Sequence, residues 1–217
     1  MATVEGVPTR KYLLAAALAT LAFLLLARWV LAGESMPFDL GIRDAVHWWA
    51  PPFSTSAFFA ITMLGSQWVM LPVGAVLFWR LEIIGRRRQA ILLAVGVLGG
   101  ELFSNLLKLA FHRPRPGVFF GLSSAETYSF PSGHAFVATV FYVLLADVLS
   151  TFARSPRQRM GIGATTVVTV LLIGFSRVYL GYHYPSDVLG GWTCAVVWLA
   201  LCGPPINAAG KPQEQRH

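Results

Sequence analysis

Six apolar stretches, each long enough to cross a bilayer, dominate the sequence: 11–32, 57–79, 88–110, 131–153, 160–180 and 187–206. A spanning helix needs about 20 mostly apolar residues. Inside hydrocarbon every backbone amide must be satisfied within its own segment, so runs of this kind fold as helices. Together they fill most of the 217 residues and leave no room for a soluble domain. Charged side chains make up only 12% of the chain and hydrophobic ones 55%, whereas a soluble domain carries roughly 25% charge. A soluble fold this small has too little interior for that apolar surface, and a disordered chain needs the opposite composition. The expectation is an all-α polytopic membrane protein with six transmembrane helices. It forms a single membrane-embedded domain over 1–217, with a loose polar tail at 207–217.

The basic residues sort by loop. Arg10 and Lys11 precede the first span, and Arg80, Arg86, Arg87 and Arg88 lie between the second and third. Arg154, Arg157 and Arg159 join the fourth and fifth, while Lys211 and Arg216 are in the tail. The alternate loops hold only Arg43, Arg113, Arg115 and Arg177, with Arg28 and Lys108 inside spans. Eleven of the 17 basic residues thus fall on one side, which the positive-inside rule makes cytoplasmic. Both termini are then cytoplasmic, and loops 33–56, 111–130 and 181–186 face outward. The net charge of +7 reflects these loops and anionic headgroups rather than nucleic acid. The first stretch is read as a retained span and not a cleaved signal, because Arg28 interrupts the cleavage region and the run is long. In the first outer loop, Ile42, Val46 and Trp49 recur at helical spacing opposite Asp39, Arg43 and His47. An amphipathic helix over 38–50, lying in the interface as a lid or anchor, is expected.

Cys194 and Cys202 share one apolar stretch, form no CxxC pair and read as small core residues. Three polar clusters break the apolar pattern. Lys108 stands on the last turns of the third span, and Arg115 follows between Pro114 and Pro116, which force the chain out of the helix. An extended Arg115 so held suits a fixed anion; alone, the cluster would equally suit lipid headgroups. Pro131-Ser132-Gly133-His134 opens the fourth span. A helix start offers free amides and a positive dipole end, Gly133 permits close approach, and Ser132 adds a hydroxyl. His134 adds a titratable group, although a plain capped helix reads the same way. The third cluster runs from Ser176-Arg177 through His183 to Asp187. His183 and Asp187 are four apart and face each other if near helical. An Asp that fixes one imidazole nitrogen leaves the other as a base or nucleophile.

Topology places all three clusters at one membrane face. Ionisable groups there are costly unless paired or wetted, and mark function by default. Three cations, two histidines, a helix N-terminus and a carboxylate make a pocket for a phosphoryl group.

The pattern K-x6-RP, PSGH and SR-x5-H-x3-D, over residues 101–191, resembles the type 2 phosphatidic acid phosphatase family. That family shares its pocket with vanadium haloperoxidases and bacterial acid phosphatases. Arg113-Pro114 offers a competing RP, but only Arg115 has the family spacing from Lys108. The resemblance implies that Lys108, Arg115 and Arg177 hold the phosphate oxygens, helped by Ser132 and the Gly133 amide. It implies His183 as nucleophile, Asp187 as its orienting partner and His134 as the acid that protonates the leaving alkoxide, then activates water. No metal or cofactor is implied. The activity implied is hydrolysis of a lipid phosphate monoester or pyrophosphate: phosphatidylglycerophosphate, undecaprenyl pyrophosphate or phosphatidic acid. A bacterial inner membrane is expected, with the site facing the periplasm or exterior. A phosphotransferase would use the same intermediate. A transporter would leave the paired histidines unexplained, and a haloperoxidase would carry a large soluble domain. Among other polar residues, Glu101 pairs within the bundle or tunes the site, Asp147 pairs with Arg154 or another basic residue, Arg28 snorkels, and His112 is a spectator.

Overall fold

A computed structural model describes residues 9–48, 51, 54–120, 122 and 127–202. Among them helices are the only regular elements. They are α1 (Thr9–Leu31), α2 (Met36–Trp48), α3 (Ser54–Met63), α4 (Gln67–Ile83), α5 (Arg87–Ala94), a π-helical turn (Val95–Gly99), α6 (Gly100–Phe111), α7 (Gly133–Phe152), α8 (Pro156–Tyr179) and α9 (Pro185–Cys202). Five helices are long and apolar enough to cross a membrane, and a sixth span exists if α3 and α4 count as one. That pair bends by 40° at the turn between them, so the stretch expected as one straight helix over 57–79 is broken at Leu64–Ser66. The third span runs unbroken from Arg87 to Phe111 but carries the π-turn in its middle. There the Trp198 indole N–H donates to the Gly96 carbonyl at 2.9 Å.

The bundle is organised around α7, which packs on α8 and α9 and touches α4, α5, α6 and the π-turn. Phe136, Val140, Phe141 and Leu144 of α7 meet Met70, Leu93, Val97 and Ile173 in the core. At the other extreme, Leu13, Leu18, Leu24 and Leu25 of α1 are more than half exposed. Such a surface is intolerable in water and required in lipid. Small residues let helices approach. A Cβ on Gly191 of α9 would lie 2.6 Å from the Ser132 carbonyl oxygen, so α9 meets the start of α7 backbone to backbone. This contact brings Asp187 beside the PSGH segment.

Local chemistry explains the helix ends that matter. Ser132 caps α7, accepting from the Ala135 N–H at 3.4 Å. Ser155 caps α8, accepting from Gln158 N–H at 3.2 Å, with Pro156 following. His112 ends α6 in the left-handed conformation (φ 51°), its N–H donating to the Lys108 carbonyl at 3.0 Å. Its ring sits edge-on to Tyr128 at 4.5 Å.

The helix expected in the first outer loop exists as α2, but with different polarity. Phe38, Leu40 and Ile42 are exposed, whereas Asp39 is completely buried. Asp39 therefore does not belong to a water-facing stripe: α2 packs on α8 and α9 and sends this carboxylate inward. Trp49 and Ala50 lie outside the described residues, as does the tail at 207–217. Both cysteines are free thiols, with Cys194 buried. Arg28 is exposed, and Asp147 accepts from Gln89 Nε2 at 3.4 Å.

Candidate functional site

At one end of the bundle the three polar clusters converge on a cavity of about 290 Å³. Lys108 from α6, Arg115 from the loop after it, Gly133 and His134 from α7, Arg177 from α8 and His183 before α9 all line it. The α3–α4 turn closes the opposite wall with Gly65, Ser66, Gln67 and Trp68. Glu101 and Asn105 reach the same wall and pair with each other, Asn105 Nδ2 donating to Glu101 Oε1 at 3.3 Å.

Two of the cations are held by hydrogen bonds. Arg115 donates through Nε and Nη2 to the carbonyl and hydroxyl of Thr127 at 2.7 and 2.8 Å, and through Nη1 to the Tyr182 carbonyl at 2.9 Å. Arg177 donates to the Thr62 hydroxyl at 2.8 Å and stacks 4.3 Å over the Tyr182 ring. Its Nε is buried with no acceptor. A buried donor left unsatisfied beside a cationic hollow fits an anion as the missing partner. A Cβ on Gly133 would stand 3.2 Å from Lys108 Nζ and 3.4 Å from Ser104 Oγ, so glycine keeps the ammonium's approach to the helix start open.

His183 is almost fully buried, with 1% of its surface exposed. Its Nε2 lies 3.1 Å from Arg115 Nη1. A guanidinium can only donate, so this nitrogen carries the lone pair and the proton is assigned to Nδ1. Nδ1 lies 3.4 Å from Asp187 Oδ2. Burial, then Arg115, Arg177 and Lys108, push the imidazole pKa well below its ordinary value, which keeps the ring neutral near pH 7. Asp187 Oδ2 also accepts from the Ser129 hydroxyl, and from the Tyr184 N–H at 2.8 Å.

Of the residues expected at the site, Lys108, Arg115, Gly133, His134, Arg177 and His183 share the cavity wall. Asp187 lies beside His183, its Oδ2 3.4 Å from Nδ1. Ser132 is fully buried and is not among the wall residues. Its hydroxyl serves as the helix cap, and its N–H donates to the Asp187 carbonyl at 2.9 Å. The sequence reading missed Ser129, Thr127, Thr62, Asp39 and Arg113. Arg113, set aside for its spacing, is buried and salt-bridged to Asp187 at 2.6 Å and Asp39 at 2.7 Å. Although burial opposes its charge, Asp187 and Asp39 hold its pKa above the ordinary value.

Comparison with known proteins gives the chain a family. The model of the PAP2 superfamily matches residues 89–205. Phosphatidylglycerophosphatase B of Bacillus subtilis (strain 168) is 32% identical over 186 residues, covering 82% of this chain and 88% of that protein. An undecaprenyl-diphosphatase of Sulfolobus acidocaldarius is 28% identical, covering 69% of each chain. The crystal structure of a transmembrane PAP2-type phosphatidylglycerolphosphate phosphatase from Bacillus subtilis superposes with a TM-score of 0.78 at 27% identity, covering 86% of this chain and 93% of that one. The chain is an integral membrane protein belonging to the PAP2 superfamily.

Proposed function

We propose that this protein hydrolyses a membrane lipid phosphate, either a monoester or a pyrophosphate, through a phosphohistidine on His183 and without a metal. One observation carries the reading: His183, with Nε2 3.1 Å from Arg115 Nη1, lines one hollow together with Lys108, Arg115 and Arg177. Those cations would bind the phosphate oxygens and stabilise the charge spread over them during transfer. His183 Nε2 would form the bond to phosphorus as the bond to the leaving alkoxide breaks, and His134 would give that alkoxide its proton. His134, now neutral, would take a proton from water as the water oxygen attacks phosphorus, releasing inorganic phosphate and freeing His183.

That the substrate is a lipid is supported by what adjoins the hollow. A space of about 130 Å³ lined by Gln67, Met70, Leu71, Val97, Leu98, Glu101 and Val137 shares wall residues with it. The same space shares Met70, Leu71, Val97 and Leu98 with an apolar cavity of about 440 Å³ between α4 and the π-turned span. A phosphate in the hollow would leave its hydrocarbon chain along this apolar run of spaces beside α4. The related proteins named for phosphatidylglycerophosphate and undecaprenyl diphosphate make those lipids, with phosphatidic acid, the substrates to assay first.

Phosphate release from these three lipids in detergent tests the reading. Turnover should persist in EDTA and fall with vanadate, whose five-coordinate form matches the transferring phosphoryl. Loss of activity in EDTA with recovery on adding a divalent ion contradicts the metal-free mechanism. Lipid phosphate consumed without inorganic phosphate release identifies a transferase instead.

The site is proposed to face the periplasm or exterior of a bacterial inner membrane, from the distribution of loop arginines. After removal of Cys194 and Cys202, Leu122→Cys should react with an impermeant thiol reagent in intact cells and Arg87→Cys should not. The reverse labelling pattern inverts the orientation.

A further inference from the structure

Behind the hollow runs a buried ionic chain that the phosphate-facing residues do not explain. Asp39 and Asp187 are fully buried and Arg113 nearly so. Arg113 joins them, Nη2 to Asp39 Oδ2 at 2.7 Å and Nη1 to Asp187 Oδ1 at 2.6 Å. Ser186 closes the loop. Its hydroxyl accepts from Arg113 at 2.8 Å and donates to Asp39 Oδ2 at 2.7 Å, and its N–H donates to Asp39 Oδ1 at 2.9 Å. The Ser35 hydroxyl accepts from Nη2 at 3.1 Å, and the guanidinium stacks 4.4 Å over the Tyr184 ring.

Stability alone is a weak reason for such a network, because apolar residues of similar volume usually serve as well as a buried ion cluster. Its geometry serves Asp187. That carboxylate has two oxygens with separate partners: Oδ2 faces His183 Nδ1, and Oδ1 is taken by Arg113. Without a partner on Oδ1 the carboxylate keeps only the Ser129 and Tyr184 bonds at Oδ2 and is freer to turn about its Cβ–Cγ bond, shifting Oδ2 against the ring. We infer that Arg113, itself held by Asp39 of α2, is a positioning residue that locks Asp187 and thereby the His183 ring. The inference rests on the reading of His183 as the nucleophile. It also ties α2, whose Phe38, Leu40 and Ile42 are exposed, to the orientation of the reacting histidine.

The test uses the full chain in detergent with a lipid phosphate substrate. Partners of this kind, one step removed from the reacting group, typically matter by about 10–100-fold. Arg113→Gln should lower kcat by that amount and leave KM within about threefold, since Lys108, Arg115 and Arg177 still meet the phosphate. Arg113→Lys should recover part of the loss. Asp39→Asn should lower kcat less, and the double variant should be no slower than Arg113→Gln, because Asp39 acts through Arg113. Histidine-selective ¹⁵N spectra, with His183 assigned by its His183→Gln variant, give a readout independent of turnover. The wild type should show one sharp set of His183 ring signals, and Arg113→Gln broadened or doubled ones from a ring that has lost its fixed orientation. Wild-type kcat in folded Arg113→Gln and Asp39→Asn, additive losses, or unchanged His183 ring signals would overturn the inference. Should Arg113→Gln fail to fold, Arg113→Lys and Asp39→Asn decide. A wild type inactive on every lipid phosphate sinks the proposed reaction, while the comparison of ring signals still judges the positioning.

Discussion

His183→Ala is expected to lose all measurable turnover on lipid and aryl phosphates alike, a fall of at least ~10⁴-fold. The reason is the absence of a substitute. His183 Nε2 presents its lone pair beside Arg115, and of the other wall groups only His134 is an imidazole. His134 sits on the first turn of α7 and lacks the Asp187 and Ser129 contacts that fix the His183 ring. Alanine also leaves Asp187 its bonds to Arg113, Ser129 and the Tyr184 N–H, so the fold should survive. Turnover by folded His183→Ala on either substrate removes it as the nucleophile.

His134→Ala should separate substrates by their leaving groups. A lipid alkoxide leaves poorly without a proton, whereas an aryl phosphate departs as a stable phenolate. General acid assistance is worth about 10²–10⁴-fold, so phosphorylation from lipid should slow by that factor and phosphorylation from the aryl ester far less. The second step still lacks the base that activates water, so phosphoenzyme should accumulate with the aryl substrate. Equal slowing of the first step on both substrates contradicts the acid role.

The spans were legible because lipid leaves a chain one solution, and about 20 apolar residues announce it. The convergence of Lys108, Arg115, His134, Arg177 and His183 was legible for a similar reason: counting spans puts alternate loops on one face. What stayed hidden depends on contacts between residues distant in sequence. Asp39 and Arg113 are 74 positions apart, and a helical wheel of α2 alone turns Asp39 toward water. Nor does local pattern show that the Thr62 hydroxyl meets Arg177 across 115 positions. Ser132 makes a contact of the same kind: besides its hydroxyl capping α7, its N–H donates to the Asp187 carbonyl at 2.9 Å, a pairing with α9 that no local pattern shows. The α3–α4 bend had a faint signal in Gly65-Ser66, too weak inside an apolar run to divide it.

The central claim is that phosphate passes through His183. Rapid-quench mixing of His134→Ala with an aryl phosphate carrying labelled phosphorus, followed by alkaline denaturation, tests it directly, since phosphohistidine survives base and not acid. The account predicts a burst of base-stable, acid-labile label on the peptide holding His183, absent when His183 is also replaced by alanine. Label that survives acid, or label retained without His183, would contradict it.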